Sequence, residues 1–175
     1  TGAVEMEMNP NNPNELYAAM WHRTRRGWKF EESGATSGIY KSNDGGETWK
    51  VVYENKNKGM FLDAMDFAGE QYGIVIGDPI KNDMFIAETF NGGDTWQDLV
   101  LPGKRPALDS GEAFFAASGT NIRLFNNKQF FAVSGGRKSR LIKRFETSPL
   151  PLIQGKETTG ANSIDIYDLQ KSKLG

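Results

Sequence analysis

The 175-residue chain contains no cysteine and only one histidine, His22. The missing cysteines exclude disulfides, thiolate metal ligands and a cysteine nucleophile. A lone histidine does not complete the donor set of a zinc site. The chain also lacks a glycine-rich phosphate loop followed by a helix. We therefore expect no metal and no cofactor.

Two further absences limit the partners. No apolar run approaches the roughly 18 residues of a membrane-spanning helix. Acidic and basic residues nearly balance, with a net charge of −1 at pH 7, so no overall field attracts nucleic acid. We expect neither a membrane span nor a nucleic-acid partner. The chain opens on TGAVEMEM without an initiating methionine, which suits a processed product or a fragment.

The chain is rich in turn residues and repeats one turn. It has 20 glycines and seven prolines, and no segment shows convincing helical periodicity, which favours an all-β fold. SNDGGETW at 42–49 returns as TFNGGDTW at 89–96. Aligning these two octapeptides brings four short strand-like segments per unit into register.

The repeat predicts four-stranded antiparallel blades of a β-propeller. The first unit has strands at 4–8, 15–21, 37–42 and 48–54, the second at 61–67, 71–77, 84–89 and 95–101, and the third at 120–125, 129–135 and 139–145, followed by ETSPLP where the octapeptide would stand. We predict one domain or fragment with blades at about 4–54, 60–101 and 120–154, and the first strand of a fourth blade at 163–168. Propellers close with roughly four to eight blades, so further blades of a parent protein or another protomer are expected as partners.

The octapeptides are predicted to be self-bonded hairpins between the third and fourth strands of a blade. Asp44 and Asn91 can accept hydrogen bonds from turn N–H groups, and the glycines can adopt positive φ. The motif residues are Ser42, Asp44, Gly46, Thr48 and Trp49 in the first copy, and Thr89, Asn91, Gly93, Thr95 and Trp96 in the second. The alternative is a calcium ion held by DGGE, although that sequence supplies few of the oxygen ligands calcium needs.

The octapeptide spacing resembles the Asp-box (BNR) repeat of sialidases, sortilin-type receptors and xyloglucanase-like propellers. Residues 4–49, with MNPNNPNELYAAMW, resemble the sortilin and xyloglucanase-like propellers. The segments GMFLDAMDF, GIVIGDPI, GEAFFAASGTNI and GGRKSRLI resemble bacterial propellers of the photosystem II assembly-factor type. The resemblance implies a propeller, boxes on the blade periphery away from any active site, and an exported, extracytoplasmic bacterial protein. It leaves function open, because this fold hosts unrelated activities.

The connections opposite the octapeptides form a basic surface, which we call the loop face. It comprises 22–36, 55–60, 78–83, 99–118 and 136–139. These segments carry eleven of the 21 Lys and Arg but six of the 22 Asp and Glu. The predicted binding residues are Arg23, Arg25, Arg26, Trp28, Lys29, Lys104, Arg105, Arg137 and Lys138. Guanidinium groups beside aromatic rings suit an acidic protein or peptide, or an anionic glycan. The alternative is a solvated loop whose arginines pair with Glu31 and Glu32.

Three acids are weak catalytic candidates, namely Asp63, Asp66 and Asp78. Asp63 and Asp66 interrupt an apolar strand, and their spacing of three places them on opposite faces of it. A glycosidase needs two carboxylates facing each other. The alternative is that these carboxylates accept backbone hydrogen bonds, as buried carboxylates normally do.

Three functions therefore remain open. The first is a non-enzymatic binding or assembly module that uses the loop face. The second is a glycoside hydrolase or a degenerate relative of one, acting on a polysaccharide. The third is a purely structural array of blades in a larger secreted protein. We favour the first.

Overall fold

Three four-stranded sheets make up most of the part of the protein that the structure describes. The computed structural model describes residues 2–22, 24–26, 29–31, 36–54, 60–99, 105–116, 119–125, 129–144 and 146–167, with only the backbone at 24–26 and 29–31. The strands are β1 (Gly2–Met8), β2 (Leu16–Trp21), β3 (Thr24–Arg26), β4 (Lys29–Glu31), β5 (Gly38–Ser42), β6 (Lys50–Glu54), β7 (Leu62–Ala68), β8 (Tyr72–Ile80), β9 (Asp83–Thr89), β10 (Gln97–Asp98), β11 (Glu112–Ala113), β12 (Ile122–Phe125), β13 (Gln129–Val133), β14 (Gly135–Gly136), β15 (Arg140–Lys143) and β16 (Glu146–Pro149).

Each large sheet is an antiparallel meander. The strand orders are β1-β2-β5-β6, β7-β8-β9-β10 and β12-β13-β15-β16. The first strands of the three sheets lie side by side, since β7 contacts β1 on one side and β12 on the other. This is how propeller blades are arranged around an axis. The prediction of an all-β protein built of four-stranded antiparallel blades is confirmed.

The second blade is buried on both faces, and its sequence shows why. Alternate residues of β8 point in opposite directions. Val75 packs with Tyr17 and Ile39 of the first blade. Ile74 and Ile76 pack instead with the third blade, in a core that includes Phe130 and Ile142. Because both faces are covered, β8 reads as a continuous apolar run rather than an alternating one.

The outward face of the first blade is less covered. Met6 and Met8 on β1 are 62% and 54% exposed, and Val51 on β6 is 41% exposed. These side chains lie on the sheet face opposite Tyr17 and Ile39. The expectation that further blades or another protomer serve as partners stays a prediction.

Two small ribbons interrupt the meanders on the loop face. The hairpin β3–β4 lies between β2 and β5, with Arg25 opposite Phe30 and Arg26 opposite Lys29. The pair β11–β14 joins the segment before the third blade to the turn after β13. Both insertions therefore extend the loop face without changing the order of the blades.

The predicted first strand of a fourth blade differs from the structure. The predicted segment is 163–168, and no strand is assigned over its described part, 163–167. The N–H of Ile164 donates to Thr120 O at 2.8 Å, just before β12. A strand needs a continuing ladder of such bonds, and one bond does not make a ladder.

Candidate functional site

The octapeptide turns satisfy their own polar groups. Ser42 Oγ accepts the N–H of Gly46 at 2.9 Å, and Asp44 Oδ1 accepts the N–H of Thr48 at 2.9 Å. Trp49 Nε1 donates to Gly46 O at 3.0 Å. The Thr48 hydroxyl, which also bonds Asp44, is the main reason that the pKa of this carboxyl falls to about 2. The carboxylate is thus occupied by its own turn.

The second turn repeats these bonds with a threonine hydroxyl and an amide oxygen as the acceptors. Thr89 Oγ1 accepts the N–H of Gly93 at 2.9 Å, and Asn91 Oδ1 accepts the N–H of Thr95 at 3.0 Å. Trp96 Nε1 donates to Gly93 O at 3.2 Å. Asn91 therefore replaces Asp44 without loss of the accepting oxygen.

The first blade docks onto this second turn. Gly92 O accepts hydrogen bonds from Tyr17 Oη at 2.5 Å and from Lys41 Nζ at 2.8 Å. Lys41 also pairs with Glu15 and Asp94, each at 2.8 Å. Burial alone lowers the pKa of Lys41, but its bonds to Asp94 and Glu15 outweigh burial and raise it. This octapeptide turn joins two blades.

The structure brings no metal donor cluster together in the part of the chain it describes. There, no three His, Asp or Glu side chains are grouped in a way that could hold a metal ion. Within the same ranges, no helix is long and apolar enough to cross a membrane. Neither finding adds a candidate site.

Only some of the predicted loop-face cations have described side chains. Arg23, Trp28 and Lys104 lie outside the described residues, and only the backbone is described at Arg25, Arg26 and Lys29. For these six residues, a role in ligand binding stays a prediction.

The described cations of the loop face contact the chain itself. Arg105 Nε donates to Leu99 O at 2.6 Å. Arg137 pairs with Glu157 at 3.3 Å, and Lys138 pairs with Asp109. Both ion pairs are exposed, so an acidic ligand could displace them at little cost.

One buried ion pair on this face was not predicted. The guanidinium of Arg140 donates to Glu112 Oε1 from Nε at 2.8 Å and to Oε2 from Nη2 at 2.7 Å. The Glu112 carboxylate also accepts the N–H of Asp109 at 2.9 Å and the hydroxyl of Ser134. It is fully buried, and the bonds to Glu112 raise the pKa of Arg140. Residues 28 apart in the chain carry no sequence signal for such a pair.

The structure separates Asp66 from the other two acid candidates. Asp66 lies on β7, the first strand of the second blade, which contacts β1 and β12. Its Oδ2 accepts the N–H of Leu124, on β12, at 2.6 Å. Burial raises its pKa, while that N–H and the charge of Arg123 oppose the increase. Glu5 on the neighbouring β1 has a pKa raised to about 7, chiefly by burial and then by the charge of Glu7. Asp66 therefore has a bonded, interior position.

Asp63 and Asp78 instead line one cavity of about 570 Å³, which we call the Asp63 cavity. Asp63 sits in a bulge of β7, and Asp78 follows six residues after the start of β8. The cavity belongs to the loop face, because segments 78–83 and 99–118 contribute to its lining. The lining residues are Trp21, Phe61, Asp63, Asp78, Phe114, Phe115, Ala116, Glu157, Thr158, Gly160 and Asn162.

The carboxyl of Asp63 is the most unusual group in this lining. The residue is 1% exposed, and among the described residues nothing bonds its Oδ2. Burial, and then the charge of Asp78, raise the pKa of Asp63 well above its ordinary value. The backbone N–H of Asp78 offsets part of this increase. A buried carboxyl oxygen without a donor is costly.

Aromatic rings from separate parts of the chain complete the cavity. Trp21 ends β2, and its ring meets that of Phe61 edge to face, with centroids 4.7 Å apart and an interplanar angle of 85°. Phe114 and Phe115 follow β11. None of these four rings was predicted to belong to a site, although the run GEAFF places Phe114 and Phe115 together. The cavity can thus offer ring surfaces and carboxyl oxygens to a ligand.

The fold defines a class of protein, the β-propeller, represented here by three blades. No family model matches the chain, and no curated protein matches it. Among solved structures, it is similar to one described as "YCF48 bound to D1 peptide", with 17% sequence identity and a TM-score of 0.41. The match covers 82% of this chain and 50% of that chain, so this chain spans about half of its length.

Proposed function

We propose that the chain is a non-enzymatic binding or assembly module that holds its ligand on the loop face, in the Asp63 cavity. One observation carries the proposal: a cavity of about 570 Å³ combines aromatic rings with a buried carboxyl oxygen that no described group bonds. Ligand sites are typically concave, mostly apolar and equipped with a few polar groups, and volumes of roughly 300–1,000 Å³ are usual.

The basic residues give this proposal a second contact area. The hairpin β3–β4 carries Arg25, Arg26 and Lys29. In the chain it follows shortly after β2, which ends at Trp21. An acidic protein, an acidic peptide or an anionic glycan held in the cavity is proposed to touch this hairpin as well. Arg137 and Lys138 have acidic partners within the chain, but both pairs are exposed, so an acidic ligand can displace them at little cost.

The test compares variants of the two areas on arrays of peptides and glycans. Trp21→Ala and Phe115→Ala alter the cavity, and Arg25→Glu with Arg26→Glu alters the hairpin. Phe125→Ala is the control, because Phe125 is an exposed aromatic residue (43%) outside the cavity. We expect the cavity variants to lose the ligands of the native chain and the control to keep them.

Other outcomes have definite meanings. Ligands lost only with the hairpin variant would place the site on the basic loops. If the native chain bound nothing, or if the cavity variants bound as well as the control, the proposal would be wrong and the chain would serve as a structural array of blades.

A glycoside hydrolase is the second candidate, favoured by one specific observation. Asp63 and Asp78 share a cavity, and a carboxyl whose pKa is raised by burial suits a general acid. Release of reducing sugar from a polysaccharide panel, abolished by Asp63→Asn and by Asp78→Asn, would establish this activity. Release that survived both substitutions would remove these residues as catalysts.

We also propose a location outside the cytoplasm. Its only support is the resemblance of the octapeptides to the Asp-box repeat. Fractionation of cells that produce the native protein tests this location. Recovery of the protein in the cytoplasmic fraction would contradict an exported role.

A further inference from the structure

The contact between the first and second blades uses one pair of side chains and one turn. Tyr17 and Lys41 lie opposite each other on β2 and β5, and Lys41 Nζ is 5.3 Å from the centroid of the Tyr17 ring. Both side chains donate to Gly92 O in the second octapeptide turn, and Lys41 also pairs with Asp94 there. The Tyr17 ring packs on Phe67, with centroids 4.7 Å apart. An aromatic residue and a lysine on neighbouring strands thus join one blade to the turn of the next.

The third blade presents a similar pair on its outward face. Phe131 on β13 lies opposite Lys143 on β15, and Lys143 Nζ is 5.9 Å from the centroid of the Phe131 ring. The adjacent residues of these strands, Ala132 and Ile142, pack in the core shared with the second blade, so Phe131 and Lys143 point away from that blade. Lys143 is exposed and Phe131 is partly buried. The pair occupies the same two strands, and points in the same direction along the row of blades, as the pair of the first blade.

The first octapeptide turn has the groups that accept such a pair. Gly45 and Glu47 occupy the motif positions of Gly92 and Asp94. The turn therefore offers a backbone carbonyl and an acid in the same places. Trp49 is 39% exposed at this turn, and Glu47 is exposed as well. The second turn uses these positions to hold the first blade, and the first turn presents them on the outward side of the first blade.

Apolar side chains continue the surface beside this turn. Met8 on β1 takes the place of Phe67, because each lies opposite the residue that pairs with the first residue of its octapeptide. Met8 is 54% exposed, and Met6 and Val51 on the same face are also exposed. A thioether makes favourable contacts with an aromatic ring. We call the turn 42–49 together with Met6, Met8 and Val51 the receiving surface.

The charges of the two outward faces are complementary. The receiving surface carries Glu47, which suits a cation, and the outward face of the third blade carries Lys143. Glu146 lies opposite Lys143 in the register of β15 and β16. It is an acid of the same blade, as Glu15 is for Lys41 in the contact between the first two blades. Each chain therefore carries both halves of one contact, on opposite ends of its row of blades.

Going beyond the proposed function, we infer that a second copy of this chain docks on the receiving surface through Phe131 and Lys143. Lys143 Nζ of one copy donates to Gly45 O and pairs with Glu47 of the other. Because Phe131 lacks the hydroxyl of Tyr17, the lysine is the only donor of this pair. The contact joins unlike faces, and two copies make it twice and close on each other. The described part of each copy holds three four-stranded blades, so the pair holds six, within the roughly four to eight of closed propellers.

Sedimentation equilibrium of charge-swap variants tests this inference. We expect the native chain to associate to twice the mass of one chain. Lys143→Glu and Glu47→Lys, made separately, should each weaken the dimer at least about tenfold, because each places like charges together at both contacts. Combined in one chain, the two substitutions restore opposite charges, and the dissociation constant should return to within about threefold of the native value.

A third lysine supplies the control. Lys156→Glu makes the same charge change at an exposed lysine outside both outward faces, and it should leave the dissociation constant unchanged. Circular dichroism and thermal unfolding verify that every variant is folded. Recovery of the dimer in the double variant also separates a lost contact from a lost fold.

Several results would overturn the inference. They are a native chain that stays monomeric, assemblies of more than two copies, single variants that associate as well as the native chain, and a double variant as weak as the singles. The last result would point to a contact between two like faces. The proposed function is tested separately, because the folded Lys143→Glu variant should keep the ligands of the Asp63 cavity. A dimeric chain that bound no peptide or glycan would contradict only the proposed function, and a monomeric chain that bound them would contradict only this inference.

Discussion

The buried pair of Glu112 and Arg140 yields the sharpest prediction about stability. The substitution Glu112→Gln keeps the shape of the side chain and removes its charge. It leaves the guanidinium of Arg140, whose side chain is only 12% exposed, without its carboxylate partner. Arg140 Nη2 retains a bond to Ala107 O at 2.6 Å, so part of its hydrogen bonding survives.

The expected loss follows from burial and from the number of bonds. Removing one partner of a buried ion pair typically costs about 3–5 kcal/mol. Because Arg140 keeps another acceptor, we expect the lower end, about 3 kcal/mol. For a domain of this size each kcal/mol lowers Tm by roughly 2–4 °C, which corresponds to a decrease of roughly 6–12 °C.

Urea unfolding and scanning calorimetry measure the loss, and an exposed pair supplies the control. Arg137→Gln breaks the pair with Glu157, whose side chains are 59% and 74% exposed. It should cost under about 1 kcal/mol. If Glu112→Gln cost no more than this control, the argument that burial makes the Glu112–Arg140 pair important would be refuted.

Three further predictions concern the octapeptide turn and the inner strands. Thr89→Val should cost about 1–3 kcal/mol in urea unfolding, because the N–H of Gly93 loses a buried acceptor; an equal loss with Thr89→Ser would contradict this explanation. Gly93→Ala should be more destabilising than Gly69→Ala by about 1–3 kcal/mol: both glycines have positive φ, but a Cβ at Gly93 would lie 2.4 Å from Tyr17 Cε1, and one at Gly69 meets nothing within 4 Å. Equal losses would show that backbone strain alone matters at both positions. In the folded protein the pKa of Glu5 is raised from 4.5 to about 7, so the folded state holds a proton that the unfolded state has lost. The free energy of unfolding should therefore fall as pH rises from about 4.5 through 7. Glu5→Gln should flatten this pH dependence, and an unchanged slope would exclude Glu5 as its source.

Much of the fold could be read from local patterns. Alternating or continuous apolar segments between turn residues predicted the strands, and the two octapeptides set their register from blade to blade. The bonds of Ser42, Asp44 and Thr48 lie within eight residues, so the spacing alone brings donors and acceptors together. The segment 163–168 was predicted as a strand by the same pattern, but a strand exists only where a neighbour continues its ladder.

The two tryptophans of the octapeptides show where local patterns stop. Trp49 and Trp96 occupy the same motif position and make the same Nε1 bond to a glycine carbonyl. Trp49 is 39% exposed, whereas Trp96 is 9% exposed and packs edge to face on Phe67 with centroids 5.8 Å apart. The difference arises because a neighbouring blade covers the second turn.

The candidate site depended most on tertiary structure. The sequence by itself predicted four-stranded antiparallel blades and the octapeptide turns, because those depend on residues a few positions apart. It also identified Asp63, Asp66 and Asp78 as unusual acids in apolar surroundings. Only the packing of blades and loops decided that Asp63 and Asp78 share a cavity while Asp66 accepts the N–H of Leu124. The physical reason is that burial, charge pairing and ring contacts come from residues distant in the chain, which meet only when the blades assemble.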